Sequence, residues 1–235
     1  MKKIWLIVIG ILILFLLLFS TYKLMNARTF QLFGGLTNHV ETNEKVVALT
    51  FDDGPTQNVE EILALLDTYD AKATFFLIGN EIEKSPELAR EIAKNGHQLG
   101  NHTYSHERMI FKSYSFIKKE IEDTNKLIEQ AGYTGEIDFR PPNGKKIIGL
   151  PYYLKKANMD TILWDIEPDT YYQVAEKKVN YVKESVKPGS IILMHPMYDQ
   201  TGEELNAIEG VLKALTEEGY TFVTVNELQQ LDGDK

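Results

Sequence analysis

The stretch KVVALTFDDGP, residues 45–55, decides how the rest of the chain is read. Val46 to Phe51 is a short apolar and β-branched run, the composition of a strand. Two adjacent carboxylates, Asp52 and Asp53, and a Gly-Pro turn follow it at once. Downstream, similar runs alternate with longer amphipathic stretches. Ala73 to Ile78, His97 to Asn101, Ile137 to Arg140, Thr161 to Asp165, Ser190 to His195 and Thr221 to Val225 read as six further strands. Helical spacing marks Val59 to Tyr69, Pro86 to Asn95, Ser115 to Ala131, Pro151 to Asn158, Val174 to Val186 and Glu203 to Glu218. Several of these end in turn chemistry such as Asn95-Gly96. Strict strand–helix alternation predicts an α/β domain whose parallel sheet is covered by helices. Acidic, histidine and arginine residues fall at the carboxyl ends of four of the seven strands. That spread fits a closed or nearly closed barrel better than an open sheet.

Upstream, residues 26–44 carry no clear periodicity and contain Gly34-Gly35, so they read as a linker leading into a domain over 45–235. Residues 1–25 hold a nearly unbroken apolar run from Ile4 to Tyr22 behind Lys2 and Lys3. Its 19 residues at ~1.5 Å each reach close to the ~30 Å of a bilayer core. Phe19-Ser20-Thr21-Tyr22 makes a poor cleavage site, which favours an uncleaved signal anchor over a secreted product. The paired lysines put the N-terminus in the cytoplasm and the domain outside. Of the 235 residues, about 210 then remain for one domain. A formal charge of −9 offers no basic face to nucleic acid. The absence of cysteine excludes disulfides, thiolate metal sites and a cysteine nucleophile. For an exported chain it also suggests a Gram-positive envelope.

Four groups carry chemistry. Asp52 and Asp53 repel unless a cation takes one of them, leaving one as ligand and one as base; the bland alternative is a solvated acidic turn. His102 and His106, four apart, fit one helical turn and can reach one divalent ion. With Asp53 they form a two-histidine, one-carboxylate set that fits zinc and hydrolysis, although iron shares such ligands. His97 reads as structural. Arg140, before Pro141-Pro142-Asn143-Gly144, could hold a carboxylate through a bidentate hydrogen bond. The apolar strand Ile191 to Met194 delivers His195 to the same face.

In this order the motifs Thr-Phe-Asp-Asp-Gly-Pro (50–55), His-Thr-x-x-His (102–106), Arg-Pro-Pro-x-Gly (140–144) and Leu-x-His (193–195) resemble the NodB-homology polysaccharide deacetylases. These form carbohydrate esterase family four, and the resemblance runs from about Lys45 to Leu231. It implies a distorted (β/α) barrel of about seven strands. It also implies Asp52 as general base, Arg140 as its partner and His195 as general acid. Asp53, His102 and His106 would hold zinc or a related divalent metal such as cobalt or nickel. The backbone N–H of Asn143 would hold the oxyanion, and Leu193 would line the acetyl pocket. The family often has tyrosine at the Asn143 position. In the segment Trp164 to Tyr171, Glu167 replaces an expected aspartate and no tryptophan follows Asp169. Asp165 or Asp169 could orient His195, and Asp169 is the favoured one. Trp164, in an apolar strand, is expected in the core, whereas Tyr171 and Tyr172 could stack on sugar rings.

The implied function is N-deacetylation of an envelope polysaccharide. Peptidoglycan is the expected substrate, at N-acetylglucosamine or N-acetylmuramic acid, and a membrane-anchored monomer the expected form. Chitin-like oligomers, an exopolysaccharide or an O-acetylated glycan are alternative substrates. A catalytically silent glycan-binding protein is the alternative from another class.

Overall fold

The computed structural model describes residues 2–231. Helix α1 (Lys2–Asn26) is long and apolar enough to cross a membrane, and none of its apolar stretch is buried against the rest of the chain. The remaining elements in chain order are β1 (Leu36–Thr37), β2 (Val46–Asp52), α2 (Asn58–Thr68), β3 (Ala73–Leu77), α3 (Gly79–Lys84), α4 (Pro86–Lys94) and β4 (Gln98–Asn101). They continue with α5 (Tyr114–Gln130), α6 (Gly149–Ala157), β5 (Thr161–Ile162), α7 (Ala175–Ser185), β6 (Ile191–Met194), α8 (Glu203–Glu217), β7 (Thr221–Phe222) and α9 (Val225–Gln229).

The central strand is β2, buried at every residue. It pairs in parallel with β3, β6 and β7, and β3 pairs with β4. The ring is completed by single bridges, Asn101 to Phe139, Phe139 to Thr161 and Ile166 to Ile192, which return it to β6. The predicted strand Ile137 to Arg140 is thus reduced to a few residues around Phe139. Prolines 141 and 142 have no N–H to donate, so the ladder stops at Arg140. The predicted strand end at Val225 is instead the start of α9. Thr224 and Glu227 form a capping box there, which favours a helix. The lead-in also contributes more than expected. Leu36–Thr37 pairs in parallel with β5, and a side chain at Gly35 would come within 2.1 Å of the Asp160 carboxylate.

Period-two alternation along the strands sorts the core into two layers. Val47, Leu49 and Phe51 point outward into the cluster shared with α2 and α8. Val46 and Ala48 point inward with Phe76, Trp164, Ile191 and Leu193, above Val225 and Leu228 of α9. Thr50 and Asp52 continue the inward series on β2, and His195 follows Leu193 at the end of β6. Asp52 and His195 therefore arrive together at the barrel mouth because of strand register alone.

Candidate active site

Asp52 is 3 % exposed, and Arg140 is fully buried beside it. The Arg140 Nη1 donates to Asp52 Oδ1 at 2.7 Å and to Thr50 Oγ1 at 2.8 Å. The expected bidentate grip is therefore a single carboxylate contact, because the other nitrogens point to the carbonyls of Ile162 and Leu163, each at 3.3 Å. Phe76 lies against the guanidinium face, 4.0 Å from its centroid. Burial alone would raise the Asp52 carboxyl. The charge of Arg140 and its hydrogen bond, with the charge of His195, outweigh it and hold the group below its ordinary value. Asp52 is thereby kept ionised.

Asp53 has φ 76°, so the backbone turns away from the strand and its carboxylate faces the two histidines. Its Oδ1 lies 3.4 Å from His106 Nε2 and 3.9 Å from His102 Nε2. The His102 Nδ1 is 2.8 Å from the Arg140 carbonyl. A carbonyl only accepts, so Nδ1 carries the proton and Nε2 keeps its lone pair. Burial, outweighing the pull of Asp52 and Asp53, lowers the His102 pKa and keeps the ring neutral. One donor atom from each of Asp53, His102 and His106 falls within 4.8 Å of the others. Asp53 Oδ1 is buried and has no hydrogen-bond partner among the described residues. An orphaned carboxylate oxygen facing a ring nitrogen with a free lone pair fits a divalent cation.

The histidines do not sit on a helical turn, as their spacing suggested. They sit on a loop in which Thr103 (φ 69°) and His106 (φ 58°) are left-handed. That shape is held from inside by Asn101 Oδ1, which accepts from Thr103 N at 2.8 Å. It is held from behind by Glu120 of α5, whose Oε2 accepts from Tyr104 N (3.1 Å), Ser105 N (2.8 Å) and Ser105 Oγ (2.9 Å). Glu120 has no counterpart in the sequence reading. The signal for it was a glutamate on the buried stripe of α5, with Ile117, Ile121 and Thr124.

On the opposite wall, His195 Nδ1 is 3.0 Å from Asp169 Oδ2, which also accepts from the His195 backbone N–H at 2.9 Å. Burial would lower the His195 pKa. The Asp169 hydrogen bond and the charges of Asp52, Asp169 and Asp53 prevail and push it up to about 9. Lys178, buried on α7, lies 2.8 Å from Asp169 Oδ1 and also pairs with Glu204. Asp165 takes no part in this wall, since it accepts from Ser190 Oγ and Ile191 N and faces His39. His97 is buried, accepts from Ala73 N and is pushed down to about 4 by burial, as a structural histidine would be.

A cleft of about 370 Å³ joins these walls, with Asp52, Asp53, His102, His106 and His195 lining it. Asn143 also lines it, left-handed at φ 56°, its side chain accepting from Arg108 Nε at 2.9 Å. Leu193 does not line it; it is fully buried in the barrel interior, one inward position below His195. Trp164 is only 3 % exposed yet faces the cleft, donating Nε1–H to Glu167 at 2.9 Å. Tyr171 and Tyr172 pack with Tyr181 away from it.

A barrel whose strand ends gather an ionised carboxylate, a two-histidine, one-aspartate set and a charged histidine belongs to a hydrolase class. The sequence pattern of the polysaccharide deacetylases matches residues 39–162. A peptidoglycan-N-acetylglucosamine deacetylase of Bacillus cereus is 35 % identical over 199 residues, covering 83 % of this chain and 93 % of that protein. The peptidoglycan-N-acetylmuramic acid deacetylase PdaC of Bacillus subtilis is 35 % identical over 196 residues, 82 % of this chain and 40 % of its own length. The crystal structure of the peptidoglycan N-acetylglucosamine deacetylase Bc1960 superposes with a TM-score of 0.76 at 31 % identity, over 81 % of this chain and 91 % of that one. The chain belongs to the polysaccharide deacetylases, carbohydrate esterase family four.

Proposed function

We propose that the chain is a metal-dependent N-deacetylase of peptidoglycan, held at the outer face of the cell membrane by α1 and working as a monomer. The observation that carries the metal dependence is the orphaned Asp53 Oδ1 beside His102 and His106, adjacent to an Asp52 that Arg140 keeps ionised. Asp53, His102 and His106 would hold the ion, with zinc the best match to this ligand set. Bound there, it would supply Lewis acidity to the acetamide carbonyl and to the attacking water.

The chain's own groups perform the proton transfers. Asp52 takes a proton from the water as its oxygen adds to the acetamide carbon. Arg140, itself held by Thr50, holds the carboxylate still for that step. The oxyanion that forms is assigned to the backbone N–H of Asn143, which lines the cleft on a loop turned by left-handed residues. His195 gives its Nε2 proton to the departing nitrogen as the carbon–nitrogen bond breaks, leaving acetate and a free sugar amine. Asp169, with the charges of Asp52 and Asp53, keeps that proton in place at neutral pH, and Lys178 holds the Asp169 carboxylate from behind. The two relatives named for N-acetylglucosamine and N-acetylmuramic acid support peptidoglycan as the polymer and leave both sugars as targets.

The test is acetate release by the full chain in detergent micelles, from peptidoglycan and N-acetylglucosamine oligomers in parallel. Release that a chelator stops and zinc restores, faster from peptidoglycan, is the expected result. Faster release from the oligomers would move the substrate to chitin-like glycans. Release unaffected by metal removal would sink the metal assignment.

A further inference from the structure

The cleft has a wall that lies outside the residues matching the family pattern. Two residues beyond the end of α1, Arg28 reaches it. Its Nη2 lies 2.9 Å from Glu167 Oε2, the same oxygen that accepts from Trp164 Nε1, and its guanidinium covers the Trp164 ring at 4.5 Å. The segment leading to Arg28 is fastened to the loop that follows Arg140. The Met25 carbonyl accepts from Lys146 N at 3.3 Å. The side chain of Lys145 donates to Asn26 Oδ1, and that of the buried Lys146 donates to the Ala27 carbonyl. The junction between helix and domain is therefore pinned to the same loop that carries Asn143 and turns over the reacting groups.

We propose that Arg28 is a substrate-positioning residue that completes the sugar-binding side of the cleft. Trp164 and Glu167 fix its plane, and its side chain remains 46 % exposed. A guanidinium has five N–H donors in a rigid fork, and among the described residues Arg28 uses one, on Glu167. Arg28 lines the same cleft as Asp52 and His195, so its remaining donors are placed for a glycan whose acetamide lies between those two. Their ligands are hydroxyl and ring-substituent oxygens of the N-acetylated glycan. Arg28 lies six residues beyond Tyr22, where the apolar run ends, a reach of at most ~22 Å, so this wall stands close to the level where α1 would leave a bilayer. The cleft thus engages glycan at the membrane surface, not at a distance from it.

The inference rests on the N-acetyl glycan substrate proposed above, and the test separates the two. Steady-state acetate release is measured for the full chain in detergent micelles on an N-acetylglucosamine tetramer, beside Arg28→Ala and Arg28→Lys, with thermal melts of all three. Arg28→Ala is expected to raise KM about fivefold or more while kcat stays within about twofold, the loss of one charge-assisted contact made equally in ground and transition states. Arg28→Lys keeps the charge without the fork or the ring contact and should recover part of the loss. An unchanged KM, or a lower melting temperature with kcat reduced and KM unchanged, would make Arg28 a structural clamp and overturn the inference. A fall in KM would overturn it by making Arg28 an obstruction. No release by the unaltered chain from either the tetramer or peptidoglycan would overturn the proposed function, and this inference with it.

Discussion

Asp169→Asn removes the charge that holds the His195 proton while keeping the shape of the side chain. The amide oxygen that replaces the carboxylate can still accept from the His195 backbone N–H, which lies 2.9 Å from Asp169 Oδ2, so the loop geometry should survive. With the pKa at about 9, roughly nine-tenths of His195 is protonated at pH 8. At its ordinary value of 6.5 only about 3 % would be, an upper limit of about 30-fold on the loss of the acid form. Asp52 and Asp53 still pull upward, so the expected loss at pH 8 is between about 5-fold and 30-fold. At pH 6 both forms are mostly protonated and the difference should shrink below about twofold. The sign follows from a raised pKa: the competent form is complete below the ordinary value and is lost as pH rises through the shifted one. The assay is kcat/KM against pH for both proteins, which reports the free enzyme's groups. An equal loss at every pH would refute the reasoning, because Asp169 would then act on position and not on protonation.

Further outcomes follow from the other walls. Asp52→Asn should retain metal by elemental analysis while lowering kcat at least about 100-fold, the usual span for a positioned base; unchanged turnover would remove Asp52 from that role. His195→Ala should likewise keep its metal and lose most of kcat, and intact turnover would end the general-acid assignment. Glu120→Ala leaves Tyr104 N and Ser105 N without their acceptor, so the histidine loop should loosen. Metal affinity, read by competition with a chromophoric chelator, is expected to fall about 10- to 100-fold, and an unchanged affinity would count against the loop argument. Arg140→Met strands the buried Asp52 carboxylate and should cost about 3–5 kcal/mol in denaturant unfolding, which a loss under about 1 kcal/mol would contradict.

The sequence carried the parts of this site that depend on local order. Alternating apolar runs located β2, β3, β4 and β6, and Asp52, His102 and His195 at their carboxyl ends meet at the mouth because period-two register points them inward, whereas Asp53 joins them only through its left-handed turn at φ 76°. What local order does not encode was hidden. The barrel closes through single bridges at Phe139 and Ile166, too short to leave a run. Leu36–Thr37 looked like linker because two residues beside Gly34-Gly35 have no periodicity. The 102–106 loop looked helical because a spacing of four is shared by a helix turn and by a loop bent through left-handed residues. Its apolar neighbours predict Trp164 in the core, where it is buried, but the pairing of its N–H with Glu167 also gives it a face on the cleft. The reach of Arg28 to Glu167, 139 residues away, is a tertiary contact that no spacing foretells.

The central claim is hydrolysis of an acetamide by Asp52 beside a metal held on Asp53, His102 and His106. Its most direct test is acetate release from peptidoglycan by the full chain, measured as isolated, after chelation, and after zinc is returned. Release that disappears with the metal and comes back with it is the predicted result. Undiminished release from chelated protein shown to be metal-free would contradict the account, as would none from protein shown to hold one zinc per chain.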